Sequence, residues 1–89
     1  MSLNFPNISR SFEAPKGRVR FWGYDSAIEI TFFVPAESLI KVCPGTNETE
    51  ASLLDAFDSS LDRIHQAAGK AYRRDRNRGY VHVLTAQDF

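Results

Sequence analysis

From Leu54 to Ala71 apolar side chains return every three or four positions: Leu54, Phe57, Leu61, Ile64, Ala68 and Ala71. That spacing places them on one stripe of an α-helix, with Leu53 and Tyr72 widening it. The pattern predicts one long helix over residues 48–74. At 1.5 Å per residue it spans about 40 Å, longer than a small domain is wide, so either part of it projects or Gly69 marks a bend. A projecting apolar end favours a second subunit. Asn47, with Glu50 three positions on, has the form of a capping box, and Thr49 is the alternative cap. A stripe of this size needs a second layer to cover it.

That layer is supplied by alternation. In residues 18–22, Val19 and Phe21 face one way, and Arg18, Arg20 and Trp22 the other. Residues 27–34 repeat the pattern, with Ile28, Ile30, Phe32 and Val34 opposed to Glu29, Thr31 and Phe33. Gly23–Ser26 reads as the turn between them, and Ala14–Gly17 as an earlier turn from a short strand at residues 10–13. Only one sheet face is uniformly apolar, so the helices belong on that side. Pro35 opens a short helix ending at Ile40 or Val42, with Glu37 in its first turn. Residues 43–47 break the chain before the long helix, and residues 75–79 end that helix. Residues 80–84 form a last strand, Val81 and Val83 opposed to Tyr80, His82 and Leu84. It joins either edge of the sheet or inserts beside the first strand. Thr85 and Asp88 form a second capping box, anchored by Phe89.

The expected fold is α+β in two layers: a mainly antiparallel sheet of three to four strands against one long helix and a short helix. Its core is Val19, Phe21, Ile28, Ile30, Phe32, Leu54, Phe57, Leu61 and Ile64. The 89 residues form a single domain. Residues 1–9 form an extended arm anchored through Phe5 and Ile8.

Four stretches resemble a family of small bacterial proteins grouped as domain of unknown function 1488. They are the opening "LNFPNISRSFE", the strand "RVRFWGYDSAIEITFFV", the helix "LLDAFDSSLDRIHQAAGKAY" and the ending "YVHVLTAQDF". "VRFWG", the "F…RI…A…Y" spacing of the helix and "LTAQDF" are the most specific pieces. The resemblance implies a compact α+β domain with no established catalytic activity, cofactor or ligand, and supplies no functional residues to transfer. Some members carry a transcriptional-regulator label, for which this chain has no helix-turn-helix motif.

Chemistry-bearing motifs are sparse. Cys43, His65 and His82 lack Cys-x-x-Cys, His-x-x-x-His or His-Glu-x-x-His spacing, so the expectation is no metal, no cofactor and no small-molecule ligand. One cysteine permits no internal disulfide, and no signal peptide or bilayer-spanning run is visible, which points to the cytoplasm. Cys43 has no base signalled nearby. Asp55, Asp58 and Asp62 alternate with serines on the wet side of the helix, and His65 borders the stripe. No nucleophile, base and orienter are spaced for catalysis, so a non-enzymatic protein is expected.

Charge is more informative. Eleven basic side chains balance eleven acidic ones overall, yet residues 63–78 carry six basic side chains against Asp75 alone. Helix polarity explains part of this, but four arginines within residues 73–78 exceed what capping needs. The candidate interaction patch is Arg18, Arg20, Trp22, Phe33, Lys70, Arg73, Arg74, Arg76 and Arg78. The leading expectation is a protein-interaction module that pairs with a protein partner or with itself as a homodimer. The alternative is weak nucleic-acid binding through the basic helix end, with Trp22, Phe33 and Tyr80 as stacking groups.

Overall fold

The structure, a computed structural model, describes residues 3–6, 10–75 and 79–89. Its elements are β1 (Leu3–Asn4), β2 (Arg10–Glu13), a 3₁₀ turn (Ala14–Lys16), β3 (Arg18–Asp25), β4 (Ile28–Pro35), α1 (Ala36–Val42), α2 (Glu50–Ser59), α3 (Leu61–Arg74), β5 (Val81–Val83) and a 3₁₀ turn (Ala86–Asp88). Sheet and helices make the expected α+β arrangement. The strand count differs from the expected three to four: among the described residues there are five, in the order β1-β3-β4-β5 with β2 also on β3. β1 and β2 share one edge of β3, opposite residues 24–25 and 18–21, so five strands fill four positions.

β3 and β4 form an antiparallel hairpin in the register Val19↔Val34 and Phe21↔Phe32. Both strands send their apolar set to the same face, and Val19, Phe21, Ile30, Phe32 and Val34 are at most 1% exposed. Ile28, expected in the core, is 47% exposed because it stands at the hairpin end beyond the cover of the helices. The turn is also later than expected: Gly23 lies inside β3, and the reversal falls at Ser26, whose φ is +58°. Gly23 has a different task. A Cβ there would stand 2.7 Å from both the Asn4 carbonyl oxygen and the Phe5 ring. The missing side chain lets the N-terminal arm cross the strand. Phe5 then packs beside Phe21 and Phe32 and stacks on His65, ring centroids 4.0 Å apart. Ile8, the arm's second expected anchor, lies outside the described residues.

The predicted single helix is two. The chain measures 35 Å along its longest axis, and the helical path bends at Ser60, where φ is −115° and ψ 23°. Ser59 Oγ donates to the Asp55 carbonyl at 2.7 Å, a back-bond that weakens the ladder, and paired serines are a recognised cause of kinks. The bend falls at Ser60, and Gly69 sits inside unbroken α3. Amide-to-carbonyl bonds run on through the kink, from Ser60 to Ala56 at 3.1 Å and from Ile64 to Ser60 at 2.9 Å. The bend rotates the buried stripe. Leu53, Ala56 and Phe57 are buried before it, and Ile64, Ala67, Ala68, Ala71 and Tyr72 after it. Leu54 and Leu61, expected in the core, pack only at its margin. Thr49, rather than Asn47, caps α2, its side chain accepting from the Ser52 amide.

The helices form the crossover that allows β5 to lie parallel to β4, in the register Thr31↔Val81 and Phe33↔Val83. Side-chain contacts and burial fix this last segment. Ser38 Oγ donates to the Leu84 carbonyl at 3.2 Å, Leu84 is fully buried, and Arg74 at the end of α3 pairs with Asp88. The Thr85–Asp88 capping box forms as expected.

Candidate functional site

Because helices cover one face of the sheet, the side chains alternating to the other face are uncovered. Register arranges them in rows. Trp22, Thr31 and Val81 form one row, and Arg20, Phe33 and Val83 the next. Val81 is 57% and Val83 45% exposed, whereas His82 between them turns inward against Phe32 and Tyr72. The arginines lie flat on this face. Arg18 covers the Phe33 ring at 3.6 Å and Arg20 stands over Trp22 at 4.8 Å. Each also has an acid: Arg18 bonds Glu13 at 2.7 Å, and Arg20 lies 3.9 Å from Glu29. The result is an apolar centre of aromatic and valine side chains with a charge-balanced rim.

Arg18, Arg20, Trp22 and Phe33 are therefore together, but Phe33 is buried beneath Arg18 and offers no free ring. Lys70, Arg73 and Arg74 belong to the helical layer on the opposite side of the sheet, so the nine-residue patch divides in two. Arg76 and Arg78 lie outside the described residues. Arg74 is engaged by Asp75 and Asp88, and the hydrogen bonds it donates to these carboxylates, Asp75 first, raise its pKa above the ordinary value. Asp88 is 3% exposed, so this guanidinium has a structural partner at the chain's last turn.

The remaining cations of α3 extend the helical half of that patch to Arg63, which the sequence patch omitted. Arg63, Lys70 and Arg73 recur at seven- and three-residue intervals on its exposed side, and Gln66 falls between. Arg63, Gln66, Lys70 and Phe89 line a shallow groove of about 160 Å³. The spacing of Arg63 to Lys70 was the available signal, and for Val81 and Val83 it was the Val-His-Val alternation itself.

The chemistry-bearing singletons have local partners. Cys43 Sγ is 3.1 Å from Ser60 Oγ, and His82 Nε2 is 3.1 Å from the Gly79 carbonyl. His65 is half-buried under Phe5; desolvation lowers its pKa, with Asp62 pulling weakly the other way. Asp55, Asp58 and Asp62 are exposed, and Asp58 takes a two-point hydrogen bond from Arg10 at 2.9 and 3.0 Å, which raises the Arg10 pKa. Among the described residues no three His, Cys, Asp or Glu converge as a metal site, and no helix is long and apolar enough to cross a membrane.

None of the curated proteins and none of the solved structures gives a significant match to this chain. A family model does, over residues 3–84, from the arm that crosses Gly23 to the buried Leu84 behind β5. The chain belongs to the family described as Protein of unknown function (DUF1488).

Proposed function

We propose that this chain is a non-enzymatic protein-interaction module that docks through the uncovered sheet face and its β5 edge. The observation that carries the reading is the pair of exposed valines, Val81 and Val83, continuous with Trp22 and the arginine-covered Phe33. Tryptophan and arginine are the side chains most often found at the energetic centre of protein contacts. An edge strand with apolar, uncharged side chains is an available pairing template. The hydrogen-bond partners of Cys43 and His82, a hydroxyl and a backbone carbonyl rather than an activating base, support a non-catalytic reading, and so does the stacking of His65 on Phe5.

A second reading has its own observation. Arg63, Lys70 and Arg73 line one side of α3, and none makes an ion pair with another described residue. These cations suit a phosphate backbone, bound weakly and without sequence preference. It ranks second because Arg18 and Arg20 lie on the other layer and Arg74 is neutralised.

One experiment separates the two. A photo-crosslinking residue is placed at Trp22, at Val83, or at Lys70 as the probe of the basic stripe, and activated in cells. Protein adducts at positions 22 and 83 but not 70 are expected. Adducts to nucleic acid at position 70, with binding that falls steeply between about 50 and 200 mM salt, replace the first reading with the second. No adduct at position 22 or 83 overturns the docking face.

A further inference from the structure

The parallel ladder between β4 and β5 fixes which backbone groups of β5 are spent. The Thr31 amide donates to the Tyr80 carbonyl at 2.7 Å, and the Leu84 amide donates to the Phe33 carbonyl at 2.8 Å. In a parallel ladder this phase directs the backbone groups of residues 80, 82 and 84 toward β4. Those of Val81 and Val83 point outward, to the open edge. Among the described residues, β5 pairs with β4 alone.

The outward set is self-complementary. Val-His-Val reads the same in both directions, so an antiparallel copy centred on His82 places Val81 opposite Val83′ and Val83 opposite Val81′, the prime marking the second copy. Each of these pairs brings an outward amide and carbonyl on one copy against an outward carbonyl and amide on the other, giving four hydrogen bonds about a two-fold axis. The four valines then sit together on the uncovered face. One apolar row runs from Trp22 through Thr31 and Val81 into Val83′ and Phe33′. The opposite edge lacks this match: β2 carries Arg10 and Glu13, each already in an ion pair. With eleven charges of each sign, two copies meet without net repulsion.

We infer that β5 is a homodimer edge, pairing antiparallel with β5 of a second copy in the register Val81↔Val83′ to extend the sheet across the axis. This rests on the docking face proposed above and names its occupant. A strand of three residues gives a contact at the small, transient end of the interface range, so association is expected between about 10 μM and 1 mM.

The test uses the full chain. Light scattering should show the mass rising above 10.1 kDa across that concentration range, and Val83→Lys should hold it at the monomer value with an unchanged circular dichroism spectrum. For the register, Val81→Cys and Val83→Cys are made separately in a Cys43→Ser background, mixed in equal amounts and oxidised with glutathione disulfide. The paired positions stand about 5.5 Å apart, within disulfide reach, whereas 81 to 81′ and 83 to 83′ are each roughly 9 Å apart and outside it. Crosslinking in the mixture but in neither variant alone is expected. A strict monomer up to 1 mM overturns the dimer edge, while protein adducts at Trp22 in cells keep the docking face and assign it another occupant. A rising mass with no preference for the 81–83′ crosslink overturns the edge register.

Discussion

Replacing Gly23 by Ala tests how the N-terminal arm is held. Alanine is the better residue for a strand interior by roughly 0.5–1 kcal/mol when space permits. Here its Cβ meets the Asn4 carbonyl oxygen and the Phe5 ring at 2.7 Å, far inside contact distance. β3 is fixed by pairing on both sides, whereas the arm is short, so the arm must yield. The cost is then bounded by what the arm contributes, chiefly the burial of Phe5, worth about 1.5–3 kcal/mol for a full aromatic side chain. A net loss of about 1–2 kcal/mol is expected, or roughly 4–15 °C in melting temperature for a chain of this size. Urea unfolding followed by Trp22 fluorescence measures it. Two further readouts make the cause specific. Phe5→Ala should remove most of the penalty of Gly23→Ala in a double-mutant cycle, because the burial of that ring is most of what the displaced arm loses. Since burial under Phe5 lowers the His65 pKa, displacing the arm should move it upward, which imidazole proton shifts report. Additive losses, or a His65 titration that does not move, would refute the reasoning.

Phe57→Ala should cost about 3–5 kcal/mol by lost transfer energy plus a cavity, since Phe57 is 1% exposed and lies edge-on to Phe21; chemical denaturation checks it. Stability should also fall on acidification. The folded state lowers the His65 pKa, so the unfolded chain takes up the proton first as pH drops below the ordinary histidine value near 6.5. The contribution is complete above that value and lost between it and the lowered folded pKa. His65→Phe, which keeps a ring against Phe5, should flatten that part of the pH profile of the unfolding midpoint.

The sheet was legible because period-two patterning carries its own test. Val19 and Phe21 could not both be inside unless Arg18, Arg20 and Trp22 were outside, and the facing strand repeats the choice. The helix was less legible. Apolar spacing from Leu54 to Ala71 is continuous to within the breadth of a stripe, so a bend that keeps the ladder bonds at Ser60 leaves almost no trace in it. The competing signal was polar: Ser59 back-bonding to Asp55 and Ser60 beside Cys43, the latter a contact between segments that no local pattern encodes. Gly23 misled for a related reason. Glycine marks both turns and close crossings, and which one applies depends on where residues 4 and 5 run.

The candidate site divides along the same line between local and non-local information. Neighbours on one strand were recognised, because Arg18, Arg20 and Trp22 share a face by alternation alone. Joining them to Lys70, Arg73 and Arg74 required knowing which side of the sheet α3 packs on. The apolar set facing the core answers that: the helix covers Val19 and Phe21, hence the face away from Arg18 and Arg20. For Val81 and Val83 alternation defined the pair but not the side, which depends on β5 lying parallel to β4 with His82 turned inward. That pairing is fixed at a distance, by Ser38 on Leu84 and by Arg74 on Asp88. Arg74, read from the sequence as a cation free to meet a partner, holds in place the strand whose exposed edge is the better candidate for meeting one.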